Sequence, residues 1–370
     1  MRILQVIPSL AKGGAERVVV ELSNSLVALD YKVDLLAAHS VDFSLNQNLL
    51  SPKVEVLFVG KKHGSPIFTY IKIPIWVAKN WKMLKSYDVS HCHLTFGLMF
   101  GFVISVFRKF TRSKKLYLIA TCHVVGVGVT LRPRIINEHF SNFFDSFVLV
   151  AEDNLWRAFI SKSGRHNFKV IKNGISPELW ADLGRNIGDK NPIIVGTISR
   201  LEAERKPWLF LEVFAHLYDL TDRQVRFILG GEGPEKDRLV SYAKQLGINE
   251  NLELPGLVFD PREILTLLDF YVGLCVEETT GIAALEAVFS GIPVVGIQLS
   301  EAYSKGENDW IYSHQDPKIV ANRLNFLIQN PTEMATTSIS QKVIGLQNYS
   351  IKRMCSKYVD LYLQGGARPN

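Results

Sequence analysis

Two carboxylates eight residues apart, Glu278 and Glu286, lie in the segment EETTGIAALEAVFSGIPVVGI at residues 277–297. Thr279-Thr280-Gly281 reads as a loop opening a helix. Glu286 falls inside that helix, among Ala283, Ala284, Leu285, Ala287, Val288 and Phe289. A carboxylate in such apolar company is costly unless something hydrogen-bonds to it. Gly291-Ile292-Pro293 ends the helix, and Val294-Val295 starts a buried strand. A strand, a polar loop, a helix N-terminus and a half-buried Glu together describe a pocket for an anionic ligand that carries hydroxyls.

The remaining candidates fit the same ligand. Arg200 follows the apolar run IIVGTIS, with Arg205 and Lys206 just beyond it. Cations at the carboxyl end of a strand suit a pyrophosphate leaving group, and either Arg205 or Lys206 can serve as the second cation. Gly13-Gly14 follows the first strand, where a tight turn lets a ligand approach backbone N–H groups. It is not a G-x-G-x-x-G run, so a dinucleotide is poorly supported. Gly230-Gly231-Glu232-Gly233-Pro234 makes a second glycine-rich turn, readable as structural or as ligand contact. His91 and His93 stand two apart on one face of a strand, a conceivable metal pair without a third ligand, so a structural role is favoured. His123 ends the strand LYLIATC. No D-x-D appears near a strand end, so no metal is expected, and the cations neutralise the leaving group instead.

The elements that must position these residues alternate along the chain. ILQVI, VDLLA, VEVLFV, DVSH, LYLIAT and FVLVA read as strands in the first half, and IIVGTIS, VRFILGG, NLELPG, FYVGLC and PVVGI in the second. Between them lie stretches of helical period, such as Ala15–Leu29 with Val18, Leu22, Leu26 and Leu29 on one stripe. Alternation of this kind argues two doubly wound parallel sheets. The breaker-rich stretch Lys172–Pro192 is the linker. At 370 residues and 47% apolar the chain has material for two cores.

The four cysteines, Cys92, Cys122, Cys275 and Cys355, are scattered without a C-x-x-C pair, which speaks against a zinc site or a disulfide framework and fits a reducing cytosol. Met1-Arg2 runs straight into a strand, so no signal peptide is expected. The apolar window Leu94–Phe107 is too short to span a bilayer and reads as a buried helix. Residues 1–170 hold 22 Lys and Arg against 11 Asp and Glu, while the rest holds 20 against 25. A basic first half suggests an anionic partner. Nucleic acid is not expected, since no nucleic-acid motif accompanies the charge. In Lys61–Lys85, Phe68, Tyr70, Trp76 and Trp81 interleave with Lys72, Lys79, Lys82 and Lys85. Such a segment can lie on an anionic membrane with its rings at headgroup level, or pack on the sheet with its lysines solvated.

Taken in register, Glu278, Gly281, Glu286-Ala287, Gly291 and Pro293-Val294-Val295 resemble the E-x7-E signature of the retaining glycosyltransferases of family 4 (glycosyl transferases group 1), which have the GT-B fold. Gly13-Gly14-Ala15-Glu16 resembles that family's N-terminal turn, Arg200 and Arg205-Lys206 its Arg–Lys pair, His91-Cys92-His93 its H-x-H, and Asn173-Gly174 its hinge loop. The chain departs at Thr280-Gly281, where the family commonly has Phe-Gly, which bears on the donor sugar. The resemblance implies an α/β GT-B architecture of two doubly wound Rossmann-like domains facing a cleft. Residues 1–172 would bind the acceptor and 173–349 the nucleotide sugar, with a hinge at about 172–192. A terminal helix at 350–370 would cross back to the N-domain. It further implies retaining sugar transfer to a glycan or lipid-linked oligosaccharide, in bacterial capsule, O-antigen or lipopolysaccharide synthesis. The place would be the cytoplasm, peripheral on the inner face of the plasma membrane. By the same resemblance Glu278, Arg200, Lys206 and His123 are catalytic, with Glu278 on the sugar ring and His123 toward it. Glu286 would bind the ribose hydroxyls. Gly13, Gly14, Arg200, Arg205, Lys206, Gly231, Thr280, Gly281 and Ile282 would complete the nucleotide-sugar site. A GT-B nucleotide-sugar 2-epimerase and a catalytically silent partner subunit are the alternatives.

Overall fold

The computed structural model describes residues 1–10, 13–39, 48–60, 66–111, 116–123, 139–151, 167–181, 191–276, 279–299 and 310–365, and the structural statements below concern these. Glu278, Lys61 and the middle of the expected hinge, residues 182–190, lie outside them. The chain divides into two units: one runs to Gly174 and takes back Ile351 onward, and the other holds Ile175–Ser350.

In the first unit the apolar runs become β1 (Arg2–Ile7), β2 (Lys32–Ala37), β3 (Glu55–Phe58), β4 (Val89–His93), β5 (Tyr117–Cys122), β6 (Ser146–Leu149) and β7 (Phe168–Val170). They form one sheet in the order β3-β2-β1-β4-β5-β6-β7, parallel throughout. A parallel sheet is covered on both faces, so Ile3, Leu4, Val6 and Ile7 are all buried. The winding reverses between β1 and β4, where the connections leave in opposite directions and a crevice opens beyond the strand ends. Helices α1 (Gly14–Ala28), α2 (Pro66–Lys79), α3 (Trp81–Leu84) and α4 (Leu94–Phe110) follow the strands. In α4 the approach to the sheet is close: a Cβ on Gly97 would stand 2.9 Å from the Cys92 carbonyl carbon. This explains the glycine in an otherwise apolar helix.

The aromatic and lysine segment differs from the headgroup arrangement. Tyr70, Trp76 and Trp81 turn inward onto Phe96, Phe100 and Phe107, with ring centroids 6.0, 5.8 and 5.6 Å apart. Burial of large rings against the apolar face of α4 outweighs interfacial placement. Among the described residues of α2, the large apolar side chains left outside are Ile71 and Ile75, 63% and 58% exposed. The Phe68 side chain is outside the described set. Among the described residues, no helix is long and apolar enough to cross a membrane.

The second unit repeats the plan. Strands β8 (Ile193–Ile198), β9 (Val225–Gly230), β10 (Leu252–Glu253), β11 (Phe270–Val276), β12 (Thr279–Thr280), β13 (Val294–Gln298) and β14 (Ser313–His314) form a sheet in the order β10-β9-β8-β11-β13-β14. The short β12 folds back antiparallel on β11. Helices α5 (Trp208–Leu220), α6 (Lys236–Gln245), α7 (Pro261–Leu265) and α8 (Ile282–Phe289) alternate with the strands. Two long helices, α9 (Pro317–Gln329) and α10 (Pro331–Tyr349), follow β14. On α10, buried Gln341 accepts from the Val294 N–H at 2.9 Å and donates to the Val294 carbonyl at 2.7 Å, standing in for a strand partner at the start of β13.

The last helix, α11 (Ile351–Gln364), belongs to the first unit and packs against α1. It brings Tyr358 and Tyr362, both buried, to the sheet face that carries Gln5, His91, His93 and Thr121. The opposite face, with Leu4, Val6, Cys92, Leu118 and Ala120, packs with residues of α2 and α4. Alternation of side chains along β1, β4 and β5 thus separates a polar stripe from the apolar core.

Candidate functional site

The described sequence candidates of the second unit lie around the reversal of its winding, between β8 and β11. These strands pair only at Val195–Phe270 and Gly196–Tyr271 before they part. The gap is held by the buried Tyr271, whose hydroxyl donates to the Ile198 carbonyl at 3.1 Å and accepts from the Ile198 N–H at 3.2 Å. Burial pushes this phenol up to about 12, with the charge of Glu286 a lesser contribution in the same direction. Tyr271 escapes a reading of the sequence because it looks like one more apolar strand residue.

Glu286 is 4% exposed on α8, beside the buried Ala284, Leu285, Ala287, Val288 and Phe289. The N-terminus of α8 is capped by Gly281 with no side chain over it. Its first turn therefore leaves backbone N–H groups, that of Ile282 included, without intrahelical partners. The backbone of Thr280 lies in β12 just before it. An uncapped helix end and a buried carboxylate one turn further along the same helix suit a phosphate and a diol, respectively.

Arg200 leaves the end of β8 and is 63% exposed in its side chain. Its Nη1 donates to Glu202 Oε1 at 2.8 Å and lies 2.6 Å from Oε2. An exposed pair of this kind is worth little and exchanges readily for another anion. Arg205 closes the short helical turn Ala203–Arg205. Desolvation lowers its pKa, and repulsion from Arg200 adds to this while Glu202 opposes it, so the three groups form one electrostatic cluster. Lys206 follows in a left-handed conformation, φ 44°. Gly231 braces this loop from behind. Its φ is 143°, and a Cβ there would stand 1.8 Å from the Ser199 carbonyl oxygen. Its N–H donates to the Gly256 carbonyl at 2.8 Å, so Gly231 shapes the loop that carries Arg200, its own amide being already used.

In the first unit, Gly13 is the N-cap of α1, and Gly14 begins the helix beyond the end of β1. A Cβ on Gly13 would fall 2.1 Å from a Glu16 carboxylate oxygen, so Glu16 folds back over this helix end. Beside it, across the β1–β4 reversal, lie the three histidines. His91 Nδ1 is 2.8 Å from the Tyr362 hydroxyl and its Nε2 is 2.7 Å from Thr121 Oγ1, which in turn is 2.9 Å from the Tyr358 hydroxyl. His93 Nε2 is 2.8 Å from Gln5 Oε1, and its Nδ1 is 3.0 Å from His123 Nε2. All four ring nitrogens of His91 and His93 are thereby engaged, which leaves them no metal-facing lone pair. Burial, and then neighbouring histidines, hold His91 and His93 well below the usual imidazole range, and burial holds His123 at about 4. The three rings are neutral at pH 7.

Two parallel doubly wound sheets, each with its candidate residues at the reversal of winding, define the GT-B class. A family model described as "Glycosyltransferase Family 4" matches residues 12–179 and one described as "Glycosyl transferases group 1" matches 183–342, and the chain belongs to this family. It is similar to the crystal structure of Anabaena Alr3699/HepE in complex with UDP and glucose, with TM-score 0.75, 20% identity, and coverage of 98% of this chain and 100% of that one. Among curated proteins it is 25% identical over 173 residues to a poly(ribitol-phosphate) alpha-N-acetylglucosaminyltransferase of Staphylococcus aureus (strain COL). That match takes in 46% of this chain and only 35% of the relative's length. It is 22% identical over 300 residues, 78% of each chain, to N-acetylgalactosamine-N,N'-diacetylbacillosaminyl-diphospho-undecaprenol 4-alpha-N-acetylgalactosaminyltransferase of Campylobacter jejuni subsp. jejuni serotype O:2.

Proposed function

We propose that this protein transfers a sugar from a nucleotide-diphosphate sugar to a glycan or lipid-linked acceptor, with retention of configuration and without a metal ion. The observation that carries the reading is Glu286, a carboxylate buried in an apolar helix one turn beyond an uncapped N-terminus. A ribose diol can donate hydrogen bonds to the carboxylate, and the diphosphate lies against the α8 amides and the Arg200–Arg205–Lys206 cluster. These cations neutralise the charge that develops on the leaving nucleotide, the task a divalent ion would otherwise perform. With no identified enzymic nucleophile, the acceptor hydroxyl attacks the anomeric carbon on the face from which the phosphate departs, the C–O bond to the phosphate breaks and the departing phosphate oxygen takes the hydroxyl proton, while Glu278 meets the sugar ring. The relatives named above are α-transferases acting on a polymer or an undecaprenol-linked oligosaccharide, which supports a surface polysaccharide as the setting.

The first unit would meet an anionic membrane through Ile71 and Ile75 with Lys72, Lys79, Lys82 and Lys85, all exposed around α2 and α3. Each lysine near such a surface contributes about 1 kcal/mol, less at higher salt. Flotation with liposomes of rising anionic content tests this, and equal binding to neutral vesicles removes it.

The central experiment is a thermal-shift panel of nucleotide sugars, since a bound ligand stabilises by mass action. A stabilising donor is then carried into a transfer assay with EDTA present, and the product anomer is read by NMR. A new sugar formed from the donor alone would make the protein an epimerase. Unchanged nucleotide affinity in Glu286→Gln would remove the diol assignment.

A further inference from the structure

Along β8, backbone groups face the two neighbouring strands in turn. The Ser199 N–H donates to the Gly230 carbonyl of β9 at 2.9 Å, while on the other flank the Ile194 carbonyl accepts from the Asp269 N–H at 2.8 Å. Ile198 shares the parity of Ile194 and so turns its own N–H and carbonyl toward β11. Yet β11 pairs with β8 for the last time at Gly196–Tyr271, short of Ile198. Backbone groups left unpaired inside a sheet are costly. The Tyr271 hydroxyl takes the place of the missing strand, since it has one hydrogen to give to the Ile198 carbonyl and lone pairs to accept from the Ile198 N–H. Phe, Val or Leu would fill the same apolar position and serve neither group.

The tyrosine is held at both ends. Its ring sits in the buried cluster that includes Ala284, Leu285, Ala287 and Val288 of α8, the helix that carries Glu286. Its hydroxyl holds Ile198, the last residue of β8, directly before Ser199 and Arg200. Gly231 braces the same loop from the β9 side. We propose that Tyr271 is a positioning residue: its hydroxyl fixes the point at which Ser199 and Arg200 leave β8 relative to the helix that carries Glu286. The diol and the diphosphate of a nucleotide are a set number of bonds apart, so their two anchors must keep a matching separation. A drift of about 1 Å between such anchors is enough to impair turnover. The naming of the ligand as a nucleotide sugar rests on the proposed transferase function; the tie between Tyr271 and Ile198 does not.

Amide exchange of the full chain reads the tie directly. In the wild type the Ile198 N–H should be as protected as the Ser199 N–H, which has a strand partner, and free exchange at Ile198 would overturn the proposal. Tyr271→Phe keeps the ring and removes the hydroxyl. In that variant Ile198 should lose roughly tenfold in protection while the amides of Val225–Gly230 show that the sheet is intact. Unchanged protection at Ile198 would overturn the tie. Inorganic pyrophosphate, followed by NMR at the Arg200 guanidinium, should bind roughly tenfold more weakly to Tyr271→Phe. Equal binding to both proteins, or binding to neither, would overturn the positioning role. With a nucleotide sugar, Tyr271→Phe should lower kcat/KM about tenfold in the wild-type background and less than about twofold beside Arg200→Ala, because its effect passes through Arg200. An equal loss in both backgrounds would make Tyr271 structural only. If no nucleotide sugar is turned over, the transferase reading fails, and the exchange and pyrophosphate results still decide the role of Tyr271.

Discussion

Acidification should loosen the first unit through its buried histidines, and the size of the effect follows from their burial. His123 is held at about 4 in the folded protein, while a solvated imidazole titrates near 6.5. As the pH falls below about 6.5 the unfolded chain takes up a proton that the folded unit refuses. Stability contributed by neutral His123 is therefore complete above that value, declines down to about pH 4, and levels off below it. Between pH 7 and pH 5 the loss is about 2 kcal/mol for this residue alone. His91 and His93, depressed by deeper burial, act in the same direction. Among the described residues, the hydrogen-bond partners of the three rings, apart from one another, are Gln5, Thr121 and Tyr362, all neutral, so none of these partners offsets the cost with a negative charge. Hydrogen exchange of β4 and β5 amides, corrected for intrinsic rates, reports the opening free energy of this unit at each pH. The wild-type protein should lose about 2 kcal/mol more than His123→Gln between pH 7 and pH 5. Parallel profiles for the two proteins would show that His123 is charged, or accessible to protons, in the folded state, and the reasoning would fail.

Gln341→Leu should cost the second unit about 1–3 kcal/mol, because the Val294 N–H and carbonyl lose their partner; an unchanged urea midpoint would refute it. Gly231→Ala should lower kcat/KM about 10²-fold by pushing the Ser199–Arg200 loop out of place, and wild-type kinetics would show that the loop adapts. Lys206→Gly should raise the melting temperature by relieving a left-handed backbone worth about 1 kcal/mol. If turnover falls in the same variant, Lys206 is the second cation; if turnover holds and Arg205→Ala is damaged, Arg205 is. Glu202→Gln releases Arg200 from its internal partner and should lower the KM for the nucleotide sugar several-fold, and a raised KM would contradict the exchange.

The parts of this molecule written locally were legible in the sequence. Strands such as ILQVI and PVVGI carry their own apolar signal, and α8 announces itself by an apolar run closed with Gly291-Ile292-Pro293. Helix α10 does not, because much of its exposed side is apolar, with Ile339, Val343 and Leu346 outside, so no clean stripe marks it. The aromatic residues of α2 and α3 alternate with lysines in a way that fits a membrane face or a packed face equally. The position of α4 decides between them, and no short window contains it. The hydrogen-bonded histidine cluster is the extreme case: Gln5 and His93 are 88 residues apart, and His93 and His123 are 30 apart. Pairs at that separation become neighbours only through strand order. Tyr271 has the same origin, since its role depends on β8 and β11 parting company two residues after they meet.

The terminal helix carries a consequence for how the protein is made. The first sheet is complete once Val170 has been synthesised, yet its polar stripe waits for Tyr358 and Tyr362. The whole of Ile175–Ser350 must be translated in between. At about 5–20 residues per second that delay is on the order of ten to forty seconds. During it Gln5, His91 and Thr121 face water or a chaperone, with α1 lacking the helix it packs against. The nascent chain thus passes through an obligatory open form of its first unit. A ribosome stalled between about residue 170 and residue 350 would present that form to the cell's quality control.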